Sequence, residues 1–82
     1  MLYAKEYKPI YDYGRLKGRI YEKFESYTGF AKVLGKSRQY VSKIIRCNSY
    51  LSVDELETWR QLLEIDVDEI AEYFFTLKTN ET

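Results

Sequence analysis

Residues Tyr27 to Ile45 read YTGFAKVLGKSRQYVSKII, and this stretch decides the fold. Phe30, Ala31 and Leu34 recur at helical spacing, and the run stops at Gly35, the residue type that best takes the left-handed conformation ending a helix. Ser37 can cap a second helix, whose inner stripe is Val41, Ile44 and Ile45. Ala31 is small, as needed where the second helix crosses close to the first. Two short helices joined by a tight glycine turn form a helix-turn-helix.

The flanking sequence supplies the rest of an all-α domain. Asp12 is placed to cap a first helix over about 13–25, with Leu16, Ile20 and Phe24 on one face. Ser52-Val53-Asp54-Glu55 is a capping box opening a fourth helix that buries Val53, Leu56, Trp59 or the stem of Arg60, and Leu63. Asp66-Val67-Asp68-Glu69 opens a fifth, carrying Val67, Ile70, Ala71 and Phe74. The expected organisation is an arm over 1–11, a five-helix domain over 12–77 and a flexible tail over 78–82, with fraying from Thr76 onward. Leu16, Ile20, Phe24, Phe30, Leu34, Val41 and Ile44 are the expected core.

Composition narrows the chemistry. The 82 residues are 45% hydrophobic and 32% charged, which suits one globular domain, and no apolar run approaches the length of a membrane span. Histidine is absent, which removes the commonest general base and metal ligand. The single cysteine, Cys47, allows neither an internal disulfide nor a CxxC metal site. These features argue for a protein of a reducing cytosol without enzymatic activity, cofactor or metal. The net charge of zero hides a segregation. Residues 1–50 hold eleven Lys and Arg against four acids, a net of +7; residues 51–82 hold two against nine, a net of −7. No acid occurs between Glu25 and Asp54. A basic half suits a polyanion, while an acidic half suits solvent or a protein.

With Val41, Ile44 and Ile45 turned inward, the second helix of the motif presents Arg38, Gln39, Ser42, Lys43 and Arg46, with Tyr40 partly exposed. The first turn of such a helix meets base edges in the major groove, where an Arg–guanine or Gln–adenine pair is worth roughly 1–3 kcal/mol of discrimination. Lys36 and Ser37 are placed for phosphate oxygens, and Arg46 and Asn48 reach the backbone from the other end. A helical hairpin with a merely solvated basic face would show the same pattern.

Tyr11-Asp12-Tyr13, Leu16-Lys17-Gly18-Arg19-Ile20 and Glu72-Tyr73-Phe74-Phe75, together with the helix-turn-helix, resemble the phage-type Cro and CI repressors of the lambda-repressor-like family. The resemblance covers about 11–77. It implies a compact five-helix lambda-repressor-like domain with an N-terminal arm, reading double-stranded operator DNA through the helix at about 37–46, usually as a homodimer. It implies base contacts from Arg38, Gln39 and Lys43, with Tyr40 beside them, and phosphate contacts from Lys36 and Ser37. Where many relatives begin the preceding helix with a phosphate-gripping Gln, Tyr27 stands here, so its hydroxyl becomes the expected contact.

The expected function is a sequence-specific regulator of transcription, a Cro-like repressor of a phage or prophage. The alternative is a protein-interaction module on the same fold, such as an antirepressor that binds a repressor through its aromatic or acidic surface. Thirteen Tyr and Phe residues are many for this length. Trp59, Tyr73 and Phe75 are the candidates for a dimer or partner surface.

Overall fold

The computed structural model describes residues 11–47 and 49–78. Residues 1–10 of the expected arm, Asn48, and residues 79–82 of the expected tail lie outside them. The described residues form α1 (Gly14–Phe24), α2 (Tyr27–Leu34), α3 (Arg38–Ile45), α4 (Val53–Leu62), a 3₁₀ turn (Val67–Glu69) and α5 (Ile70–Phe74). The architecture is all-α, as expected.

Local chemistry sets each boundary. Tyr13 rather than Asp12 occupies the cap position of α1, but the Asp12 carboxylate accepts from the Gly14 amide at 3.0 Å and so still serves the positive helix end. Ser26 and Ser37 cap α2 and α3, their hydroxyls accepting from the amides of Gly29 and Tyr40. Gly35 ends α2 at φ 73°, and the amides of Gly35 and Lys36 both return to the Ala31 carbonyl. At Ser52 both halves of the capping box form.

The helix-turn-helix is fastened to α1 by a close approach. A Cβ on Gly29 would lie 2.5 Å from the Phe24 carbonyl oxygen, so the chain can turn from α1 into α2 here only with glycine. Phe30 then enters the core, meeting Trp59 edge-on at 4.9 Å and Phe24 at 5.2 Å between ring centroids. Leu16, Ile20, Ala31, Val41, Ile44, Leu63, Ile65 and Phe74 complete the core, and Phe24 and Leu34 pack half-buried against it.

Three expectations need correction. Val53 is 83% exposed, because the first turn of α4 overhangs the edge of the core; Leu56, Trp59 and Leu63 carry the buried stripe, with Leu56 half-buried. Val67 is also exposed, because a 3₁₀ turn has three residues per revolution and rotates it off the stripe that an α-helix would continue. Ala71 likewise faces solvent. Finally, Thr76 and Leu77, at the start of the segment expected to fray, are pinned. Tyr11 and Leu77 form an antiparallel bridge, the Asp12 amide donates to the Thr76 carbonyl at 2.7 Å, and the Thr76 hydroxyl bonds back to Glu72.

Candidate functional site

α3 leaves the core with Val41 and Ile44 buried and Ile45 half-buried, so its opposite side must meet solvent. Arg38, Gln39, Lys43 and Arg46 are exposed there, as the stripe predicted. They do not form one row. Gln39, Lys43 and Arg46, spaced by four and three residues, line one open depression with Ser37, Tyr40 and Ser49. Arg38 lies on the side facing α2, its guanidinium 5.9 Å from the centre of the Tyr27 ring. Ser42 is half-buried, and its carbonyl accepts from Arg46 Nε.

Tyr27 is the middle layer of a small stack. Its ring lies 5.6 Å from that of Tyr21 and nearly parallel to it. Burial, then the neighbouring Tyr21, pushes its hydroxyl pKa up, while Arg38 and Arg46 pull the other way. Tyr21 was not anticipated as part of this surface, because it directly follows Ile20 and so falls off the Leu16-Ile20-Phe24 stripe of α1.

Tyr40 departs most from expectation. It borders the depression of Gln39 and Lys43 but also enters the groove between α3 and α4, its ring edge-on to Trp59 at 6.3 Å. Its hydroxyl donates to Glu55 Oε2 at 3.0 Å, and Lys36 Nζ sits 5.2 Å over the ring. Glu55 Oε1 accepts from the Ser52 amide at 2.7 Å. One carboxylate thus holds the start of α4 and the first turn of α3 together. The Ser52 amide above all, with help from the Tyr40 hydroxyl, keeps the Glu55 carboxyl below its usual pKa range. The capping box marks Glu55 in the sequence, but nothing local links it to a tyrosine fifteen residues away.

The charge segregation resolves into two different surfaces. Among the described residues, four ion pairs join Arg15 to Glu72, Arg19 to Glu22, Lys23 to Glu64 and Arg60 to Glu57. Three of them use the cations of α1, and two of these reach the acidic half. The span 26–47 carries Lys32, Lys36, Arg38, Lys43 and Arg46 with no acid, a net of +5. None of these five has an ion-pair partner among the described residues. Cancellation on α1 therefore concentrates the uncompensated positive charge on the helix-turn-helix.

Of the three aromatic residues expected on a dimer or partner surface, two are corrected. Trp59 is wholly buried, because the turn that exposes Val53 rotates residue 59 against Phe30. Tyr73 is 8% exposed, with the guanidiniums of Arg15 and Arg19 at 5.5 and 5.4 Å from its ring centre. Phe75 alone is on the surface, 49% exposed, with its ring edge-on to Tyr11 at 5.8 Å.

The chain is similar to the modulator of repression (MOR) of the temperate bacteriophage TP901-1 from Lactococcus lactis, known from its solution structure. The two are 33% identical with a TM-score of 0.72, over 85% of this chain and 95% of that one. No curated protein matches the chain. No helix among the described residues is long and apolar enough to cross a membrane. Residues 10–77 match the family described as Protein of unknown function (DUF739), and the chain belongs to that family.

Proposed function

We propose that this protein modulates phage repression by binding a repressor protein, using a helix-turn-helix fold as the scaffold of a protein-binding module. The observation that carries this reading is the similarity, nearly end to end, to a phage modulator of repression. The geometry of α3 supports it. Two of the four residues expected at base edges are diverted, Tyr40 to Glu55 and Arg38 to the Tyr27 ring, which leaves a shorter row for a major groove. Such a regulator acts in the cytoplasm of the bacterial host, needs no cofactor and catalyses no reaction.

A specific observation keeps operator binding as a second reading. Lys32, Lys36, Arg38, Lys43 and Arg46 form an uncompensated cationic surface, with Gln39 beside Lys43 and Arg46. In that reading Arg38, Gln39 and Lys43 contact bases, Tyr27, Lys36, Ser37, Ser42 and Arg46 contact phosphates, and a homodimer spans half-sites about 34 Å apart. The two readings separate in one titration series. The protein is titrated against the repressor of the phage that carries it, and separately against duplexes selected from a random pool at two salt concentrations. Saturable binding to the repressor, with only weak and strongly salt-dependent binding to every duplex, supports modulation through protein contact. A selected palindrome bound without the repressor overturns it in favour of operator reading.

A further inference from the structure

The first two turns of α4 form a ridge between two grooves. On one side is an apolar groove of about 250 Å³, walled by Tyr11, Tyr13, Phe74 and Phe75 and rimmed by Tyr50 and Val53. Val53, Phe75 and Tyr50 are three of the seven large hydrophobic side chains exposed among the described residues, and all three border this groove. Isolated exposed apolar residues are ordinary; three converging on one concave surface are not. On the other side is a groove of about 210 Å³, where Asp54 and Glu55 stand at the edge of the Tyr40 and Trp59 rings. Its one cation, Lys36, lies over the Tyr40 ring. Asp54, on the ridge between the grooves, is exposed and has no ion-pair partner among the described residues.

We propose that this ridge, with the grooves beside it, is the docking surface for a protein segment that offers an apolar side chain next to a cationic one. The inference rests on the modulator reading and names the surface that serves it. With two carboxylates against the single Lys36, this groove carries net negative charge and repels phosphate, so the occupant is not nucleic acid. An apolar groove beside exposed Asp54 matches a segment that buries an apolar side chain and pairs a neighbouring guanidinium or ammonium at the edge. A second copy of this chain would have to bring its own cationic α3 face, a different patch from the ridge. Such a head-to-tail contact repeats without closing unless its rotation happens to make a ring. A repressor that presents basic residues among apolar ones has the matching chemistry and closes the pairing in one step.

The test measures affinity for the full-length repressor of the same phage by calorimetry, using Val53→Lys, Phe75→Ser and Asp54→Lys. Val67→Lys is the control, an exposed valine away from the ridge. Circular dichroism checks that each variant keeps its helices, which these exposed positions favour. The expected result is a loss of about tenfold or more for Val53→Lys and Phe75→Ser, a severalfold loss for Asp54→Lys and none for Val67→Lys. Undiminished binding by all folded ridge variants overturns the surface while leaving the modulator reading intact. Absence of repressor binding by the wild-type protein overturns the modulator reading and this surface with it. Self-association of the wild type in sedimentation, abolished by Val53→Lys, would assign the ridge to a second copy and overturn the choice of occupant.

Discussion

The α2–α3 unit and the α4–α5 segment use charge in opposite ways. In α2–α3 every charge is positive and none forms an ion pair among the described residues, so the helices are held by caps, Gly29, Gly35 and the apolar stripe, and the cations remain largely for a ligand. In α4–α5 most charges are negative, and much of that charge is engaged internally. Glu57 holds Arg60, Glu64 holds Lys23, Glu72 holds Arg15, and Glu55 holds Tyr40 and Ser52. Charged side chains therefore stay uncompensated in one region and serve largely as fasteners in the other. The comparison also locates stability: it lies in burial beneath both regions and in polar ties mainly on the acidic side.

The largest test of this division is Trp59→Ala. Trp59 is fully buried and touches the rings of Phe30 and Tyr40, so truncation should cost about 3–5 kcal/mol. For so small a domain that consumes much of the folding free energy, and urea denaturation should show partial or complete unfolding in buffer. Gly29→Ala comes next. Its new methyl group would meet the Phe24 carbonyl, and backbone must shift to admit it; a loss of about 1–3 kcal/mol in the same assay is expected.

The tie between the two regions should be weaker. Tyr40→Phe removes only the hydroxyl that donates to Glu55 and should cost about 1 kcal/mol. Glu55→Ala, which also breaks the capping box, should cost more than Tyr40→Phe. If the two cost the same, the Ser52 contact contributes nothing and the polar ties of α4 are decorative.

Acid should act on one region alone. Hydrogen bonds from Arg60, then Gln61, lower the Glu57 pKa to about 2, and Lys23 lowers that of Glu64. Both groups have an ordinary value of 4.5, so the unfolded chain takes up protons first as pH falls. Their contribution is complete above about 4.5 and is lost as pH drops toward 2. Thermal unfolding should show Tm falling through that window, less steeply in Glu57→Gln. The smallest effect belongs to the basic face. Removing Arg38 and Lys43 together by alanine substitution should change stability by under about 0.5 kcal/mol, since neither is buried or ion-paired. A larger change would mean that α3 is held by its charges.

Much of the fold is legible in the sequence because its determinants are local. Ser26, Ser37, Ser52 and Gly35 each set a helix end through a contact within a few residues. The Val41-Ile44 stripe fixes which side of α3 faces out for the same reason. What escapes such reading depends on how helices meet. Val53 and Trp59 satisfy the helical repeat equally, yet only the height of α4 above the core decides that one is exposed and the other buried. Tyr40 and Phe75 are both aromatics at helix ends; one is drawn inward by a carboxylate distant in sequence, and the other is left on the rim of a groove. Gly29 reads as an indifferent helical glycine until Phe24 is seen against it.

Release of operator DNA from its repressor tests the central claim most directly. A labelled operator duplex is first saturated with the repressor of the same phage, and this protein is then titrated in while fluorescence anisotropy is followed. Modulation through protein contact predicts that anisotropy falls to the value of free duplex at a fixed ratio of protein to repressor. An unchanged repressor–operator signal, accompanied by specific binding of this protein to the duplex when the repressor is left out, would contradict it.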